Sequence, residues 1–227
     1  MSNRILNPIM IKTFFNYRIY LPLFGLLFYG CSGAAATIQT YVNPSLNSSK
    51  ITSVSVFPLN NAFLQQSDSL GTGDMIEINR MFQMEFARKN SKTKILDPVS
   101  STELLKKGDL VNPYDALLRD YYTNTNIPNA QTLKSIGQNL GVDAIIQGFV
   151  VGVFQRDGVF GSYQIPASRG ETKVTIKYVM FSTMSGDVLW EATCQGYDSV
   201  TPFQKAPPIS KMIEMIKDKL VSALPAL

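Results

Sequence analysis

A short apolar run that ends at a cysteine constrains this chain more than any other feature of its sequence. Residues 1–18 are basic and contain no acidic residue, and residues 19–29 form an apolar run of 11. A membrane-spanning helix needs about 20 apolar residues, so this run is too short to span a bilayer and is typical of the hydrophobic region of a signal peptide. We therefore predict that residues 1–30 are a signal peptide, removed before Cys31.

The residues around this cleavage point resemble the lipobox of bacterial lipoproteins, in which a small residue precedes an acceptor cysteine. Gly30 precedes Cys31, and the small residues 32–36 follow it. The common pattern has leucine and a small residue at the positions that Phe28 and Tyr29 occupy here, which makes this a relaxed lipobox. The resemblance implies lipidation of Cys31 and a membrane tether made of its acyl chains.

The resemblance also bears on location. Ser32 follows the cysteine, where aspartate would retain such a lipoprotein in the inner membrane, so the expected location is the outer membrane, facing the periplasm. Two alternatives stay open. The apolar run would otherwise be an uncleaved membrane anchor, and translation starts at either Met1 or Met10.

Cysteine and histidine usage limits the chemistry of the mature chain. Cys194 is the cysteine left after Cys31, so no intramolecular disulfide is expected. Its neighbours Thr193 and Trp190 favour a strand in which the thiol packs as a small apolar group, with a reactive thiol as the alternative. The sequence has no histidine, which excludes Ser-His-Asp and Cys-His catalysis. Carboxylate chemistry stays open, so an enzyme or a small-ligand receptor is the alternative to our prediction of a protein that is not an enzyme.

The net charge of +4 is partly a property of the signal peptide. Arg4, Lys12 and Arg18 lie there, which leaves 18 basic and 17 acidic residues from position 31 onward. A balance so close to neutral argues against nucleic-acid binding.

The mature chain divides into two predicted parts. Residues 31–49 are small and polar, which predicts a flexible lipidated tether, and residues 50–227 are expected to form a single α/β periplasmic domain. Hydrophobic periodicity in this domain predicts strands over 51–57, 94–97, 144–155, 171–181 and 188–197, with a returning hairpin strand over 159–165 as an option, and helices over 75–89, 100–105, 113–122, 130–140 and 209–224. The order predicts a mixed α/β (α+β) fold with one sheet of about four or five strands, mostly antiparallel in its C-terminal half and packed by helices.

Polar residues mark several of the predicted helix ends. Asp74 is an expected N-cap of the first helix, and Asn129 of the fourth. Ser100 with Glu103 forms a capping-box pattern, and Gly141 is expected to end the helix that Asn129 begins.

No catalytic, cofactor or metal-binding residue is predicted. Gly71-Thr72-Gly73 does not fit a phosphate loop, because Asp74 would repel phosphate at the helix start. The acidic residues are scattered and often lie beside turns, and a carboxylate site assembled only in three dimensions is the alternative: Asp97, Glu103, Asp109, Asp143, Asp157, Glu171, Asp187 and Glu191. A set of aromatic residues is expected either to pack in the core or to bind a partner: Tyr114, Tyr121, Tyr122, Tyr163, Phe149, Phe154 and Phe160.

Four segments together resemble the group of envelope lipoproteins typified by LpoB, CsgG and the N-terminal domain of TolB. Residues 140–150 resemble the group's entry strand, residues 174–190 its following hairpin, and residues 53–58 and 95–97 its first two strands. The resemblance implies a TolB-N-like, anticodon-binding-like domain. It also implies an accessory that binds an envelope protein partner, for example to activate a peptidoglycan synthase.

The resemblance leaves one alternative, an oligomeric secretion-channel component of the curli-assembly type, which would make the chain a homo-oligomer. Two features depart from the group. The polar segment 108–129 has no counterpart in its pattern, and the alternating segments are short for a pore.

Overall fold

One mixed sheet of six strands organises the part of the chain that this computed structural model describes, which is residues 33–48, 50–61, 70–125, 127–161 and 166–227. The strands are β1 (Ala35–Val42), β2 (Ser53–Val56), β3 (Lys94–Leu96), β4 (Ala144–Arg156), β5 (Arg169–Ser182) and β6 (Val188–Pro202). Their spatial order is β1-β6-β5-β4-β2-β3. β2 runs parallel to β3 and β4, and the other neighbours are antiparallel. The predicted class and the antiparallel C-terminal half are confirmed.

Six α-helices in the described ranges accompany the sheet: α1 (Ser45–Ser48), α2 (Thr72–Lys89), α3 (Pro98–Lys107), α4 (Val111–Asp120), α5 (Ala130–Leu140) and α6 (Ile209–Ala223). A π-helical turn, Tyr121–Thr125, extends α4. Within the described residues, none of these helices has the length and apolar content that a bilayer crossing requires. The predicted signal peptide and Cys31 lie outside the described residues.

Two hydrophobic clusters form the core, one on each face of the sheet. α2 and α6 cover the first face, where Phe82, Tyr178 and Trp190 are fully buried. α3, α4 and α5 cover part of the second face, over Phe149 and Phe181. The polar segment 108–129, which departs from the family pattern, supplies α4 and the π-helical turn to this second cluster.

The largest correction to the sequence prediction concerns the tether. Residues 35–42, predicted to be flexible, form β1 and pair with β6 from Ala35 opposite Tyr197 to Val42 opposite Trp190. β1 raises the strand count above the predicted four or five. Its register also explains why a short segment without a strong hydrophobic pattern is ordered, since the exposed edge of β6 supplies its hydrogen-bonding partners.

The predicted strand over 159–165 is also wrong where it is described. β4 continues to Arg156, and β5 begins at Arg169 and pairs directly back on it, with Arg156 opposite Glu171. Val159 makes only an isolated bridge with Ser168, and residues 162–165 lie outside the described residues.

Two helix starts differ from the predicted caps. α2 begins at Thr72 after Gly71, so Asp74 lies in the first turn, where its negative charge still interacts favourably with the helix dipole. α3 begins at Pro98, and its N-cap is Asp97 rather than Ser100. Asp97 Oδ1 accepts hydrogen bonds from the backbone N–H groups of Val99 (2.9 Å) and Ser100 (3.0 Å).

The Asp97 cap leads to a direct stability prediction. Asp97→Ala is expected to lower the free energy of unfolding by about 1 kcal/mol, because two backbone N–H groups lose their acceptor. Glu103→Gln, which removes the charge of the predicted capping box, is expected to change it by less than about 0.5 kcal/mol. Urea denaturation followed by circular dichroism measures both changes. An equal loss of stability in both variants would contradict this prediction and favour the Ser100–Glu103 capping box.

Candidate interaction surfaces

The segment that carries the family resemblance has a structural role in the sheet. Asp143 Oδ2 accepts hydrogen bonds from the backbone N–H and the hydroxyl of Thr52 (2.8 Å each) and from the same two groups of Ser53 (3.0 Å each). Burial acts to raise the pKa of Asp143, but these hydrogen bonds outweigh it and lower the pKa from its usual value. One carboxylate therefore joins the starts of β2 and β4.

The helix that precedes Asp143 ends as the sequence predicts. Asn129 caps α5 by accepting from the Thr132 N–H at 3.0 Å, and Gly141 follows α5 in the left-handed conformation, with φ of 65°. Glycine adopts this conformation without steric cost, so Gly141 turns the chain directly from helix into β4.

The other carboxylates singled out in the sequence are spread over the described fold. Several of them accept a hydrogen bond from the backbone or form an ion pair with a neighbouring side chain. Asp157 accepts from the Ala206 N–H at 2.8 Å, and Glu171 pairs with Arg156 at 2.6 Å. Glu191 pairs with Lys177 at 2.9 Å. Asp109 lies in a turn with φ of 54°. Within the described residues, no three acidic or cysteine side chains are grouped as metal ligands would be.

Cys194 lies in β6 and is 1% exposed. Burial raises the pKa of its thiol to about 12, so the reactive thiolate form is rare near neutral pH. This confirms that Cys194 packs as a small apolar residue.

The aromatic residues named in the sequence divide between core and surface. Tyr114, Tyr121 and Phe149 are buried, and Tyr122 is half-buried against the same cluster. Lys177 lies over the Tyr121 ring at 5.2 Å, next to the Glu191 carboxylate. Tyr163 lies outside the described residues. Phe154 and Phe160 are exposed at the surface, so for these two the core interpretation is wrong.

The exposed aromatic residues gather where β4 ends, β5 begins and β6 ends. We call Phe154, Val159, Phe160 and Phe203 the aromatic tip. Phe160 and Phe203 are 75% and 66% exposed, and their ring centroids are 5.8 Å apart. Sequence reasoning missed Phe203, because a single phenylalanine among polar residues after β6 carries no periodic signal.

The backbone beneath the aromatic tip is closely packed. Phe203 has φ of 66°, which is unusual for a residue with a bulky side chain. The Gly158 N–H donates to the Gln204 carbonyl at 2.9 Å. A Cβ at Gly158 would lie 2.9 Å from the Phe203 nitrogen, and one at Gly170 would lie 2.7 Å from the Gln204 carbonyl oxygen. Glycine at both positions lets three chain segments meet and present the two rings outward.

The second surface is the edge strand β1. One side of β1 pairs with β6, and in the described sheet it is the terminal strand. Its eight residues contain no charged residue and no proline, and six of them are exposed, including Tyr41 at 50%. Natural edge strands usually carry charges, prolines or bulges that prevent further pairing, so an unprotected edge of this length suits a partner strand.

A groove of about 300 Å³ lies at the carboxyl end of β2, with Phe57, Leu59, Tyr114 and Gln147 among its lining residues. The Tyr114 hydroxyl donates to Gln147 Oε1 at 2.8 Å, and Gln147 Nε2 donates to the Pro58 carbonyl at 2.7 Å. Burial raises the pKa of Tyr114 well above its usual value. The polar groups named here bond one another, and Lys106 and Asp115 are the charged residues of the lining.

Comparison with known proteins adds similarity of structure alone. No protein-family model and no curated protein sequence matches the chain. Among solved structures, the PelC dodecamer from Paraburkholderia phytofirmans is 13% identical, with a TM-score of 0.44, over 85% of this chain and 100% of that one. Lipoprotein GNA1162 from Neisseria meningitidis is 14% identical, with a TM-score of 0.44, over 75% of this chain and 96% of that one.

The C-terminal domain of LpoB from Salmonella enterica is 12% identical, with a TM-score of 0.35, over 66% of this chain and 82% of that one. Similarities of this size assign no function to the chain.

Proposed function

We propose that this protein is a lipid-anchored lipoprotein of the cell envelope, held in the outer membrane through Cys31, that acts as a non-enzymatic accessory by binding a periplasmic protein partner. The observation that carries the proposal is the unprotected edge of β1, which begins four residues after the proposed lipidation site.

β1 supports partner binding because its outer edge can extend the sheet. An added strand bonds to backbone groups, which gives affinity, while alternate side chains such as Thr37 and Gln39 select the sequence that binds. An uncharged edge of eight residues is costly to leave open unless something covers it, since it also invites aggregation.

Several observations support a role without catalysis. Asp143, Asp157, Glu171 and Glu191 are engaged in the hydrogen bonds and ion pairs described above. The Cys194 thiol is buried, with a raised pKa. A protein built in this way acts through its surface.

The anchor is tested by replacing its thiol. Wild-type protein is expected to lack residues 1–30 and to carry acyl chains by intact mass, and to sediment with membranes. Cys31→Ser is expected to lose the acyl mass and appear in the soluble fraction, whereas Cys194→Ala, the matched control, keeps both the mass and the membrane location. A wild-type chain that retains residues 1–30 without lipid would contradict the anchor.

The partner is tested by a photo-crosslinking amino acid at Gln39 in living cells, with the same amino acid at exposed Met84 on α2 as control. We expect an adduct with one envelope protein from position 39 alone, identified by mass spectrometry. The adduct is expected to be lost when Thr37 and Tyr41 are both changed to lysine, because two charges protect the edge. No adduct, or the same adduct from both positions, would contradict the proposal.

A second candidate function uses the same edge. If β1 pairs with another copy of this chain, the oligomeric secretion-channel alternative gains support. The adduct from position 39 would then have twice the mass of the chain, and purified protein in detergent would form rings that conduct ions across a bilayer.

A further inference from the structure

The strand register brings the aromatic tip to the same end of the sheet as the start of β1. Ala35 pairs with Tyr197, Tyr197 with Lys173, and Lys173 with Phe154, so these four residues form one row across the sheet. The chain enters β1 at this row, and Phe203 follows the end of β6, six residues past Tyr197, or about 20 Å further along the strand.

Chain length limits how far this end can be from a lipid at Cys31. Ala35 is the fourth residue after Cys31, and an extended chain spans at most about 3.6 Å per residue. The start of β1 can therefore lie no more than roughly 14 Å from the cysteine. An anchor so short keeps this end of the sheet at the membrane surface.

We propose that the aromatic tip is a second membrane contact, in which Phe160 and Phe203 enter the lipid interface beside the anchor. This rests on the proposed lipidation of Cys31. The free energy of an exposed phenylalanine side chain falls when it leaves water for the boundary between lipid headgroups and acyl chains. The backbone is closely packed around Gly158, Gly170 and the Phe203 nitrogen, so little backbone conformational entropy is lost on insertion.

The charges near the aromatic tip divide into ion pairs and exposed basic side chains. Arg156 pairs with Glu171 at 2.6 Å and lies over the Phe154 ring at 5.9 Å. Asp198 pairs with Lys211 at 2.6 Å. Arg169, Lys173 and Lys205 are exposed at the same end of the sheet, so attraction to anionic lipids adds to the contact and is the part that salt screens. Insertion of the two rings is apolar and is therefore expected to persist at high salt.

Tryptophan fluorescence in vesicles tests the contact. Full-length lipidated Phe160→Trp protein is reconstituted in phosphatidylethanolamine–phosphatidylglycerol vesicles whose acyl chains are brominated. Met184→Trp is the matched control, because Met184 is 80% exposed in the turn between β5 and β6, at the opposite end of the sheet. β6 has 15 residues, and at about 3.3 Å per residue its length places Met184 more than roughly 40 Å from Phe203. Trp190, buried in the core, gives both variants the same background.

We expect bromolipid to quench the Phe160→Trp emission and shift it to the blue, both at low and at high salt, and to leave the emission of Met184→Trp unchanged. Equal quenching of both variants, or of neither, overturns the membrane contact. A blue shift without quenching also overturns it, because a protein then covers the ring.

Flotation of the protein with vesicles tests the lipid anchor at Cys31 independently of the contact made by the rings. Protein that floats with vesicles but shows no quenching at position 160 keeps the anchor and loses only the second contact. Protein that carries no lipid at Cys31 and does not float overturns both.

Discussion

Gly148→Ala is expected to lower the free energy of unfolding by about 1–3 kcal/mol, the usual cost of overpacking a core. A Cβ at this position in β4 would lie 2.7 Å from Tyr178 Cε1 and 2.8 Å from Leu59 Cδ1. Leu59 Cδ1 is the end of a flexible side chain, but the Tyr178 ring cannot move away easily. Tyr178 is fully buried, and its ring stacks on Phe82 with 4.1 Å between the ring centroids. Thermal or urea denaturation of the purified domain measures the loss.

Gly152 provides the matched control because it lies in the same strand and has no atom within 4 Å of its hypothetical Cβ. Gly152→Ala is expected to leave stability unchanged or to raise it by up to about 1 kcal/mol, since alanine restricts the unfolded chain. If both variants lose the same stability, the loss comes from the strand backbone and the packing of Tyr178 is not its cause.

Asp143→Ala is expected to cost about 1.5–3 kcal/mol, because the carboxylate accepts hydrogen bonds from Thr52 and Ser53 and joins two parallel strands. Both backbone N–H groups would lose their acceptor. The control is Asp218→Ala, which removes an exposed carboxylate on α6. Urea denaturation of both variants shows how much of the stability loss is particular to Asp143. Similar losses in the two variants would show that Asp143 has no special role.

The pH dependence of the Asp143 contribution follows from its lowered pKa. Because the pKa in the folded state lies below the ordinary value of 3.8, the stabilisation is fully present above pH 3.8 and is lost as the pH falls through the folded-state pKa. The difference in stability between wild type and Asp143→Asn is therefore expected to shrink in acid. A difference that stays constant as the pH falls below 3.8 would contradict the assignment.

Local sequence patterns correctly predicted those helix ends and strands that are determined by residues close together in the sequence. The Asn129 cap and the Gly141 turn are examples, because side-chain capping and a left-handed glycine act within one helical turn. The alternation around Val174, Ile176 and Tyr178 likewise identified a strand with one buried face.

Features that depend on distant pairing were missed. Residues 35–42 contain β-branched and aromatic residues that were a weak strand signal, yet their small, polar context resembled a tether. One local feature was also missed: the N-cap of α3 was assigned to Ser100 instead of Asp97, because two polar residues three positions apart compete for one helix start.

The sequence by itself determined that this chain has a short apolar run before a cysteine, no histidine and enough periodic apolar residues for one mixed α/β domain, because composition and local periodicity need no knowledge of contacts. Only the tertiary structure decided that β1 is an open edge and that Phe203 joins Phe160 at one end of the sheet. Residues far apart in the chain come together through strand register, and register depends on the packing of the whole sheet.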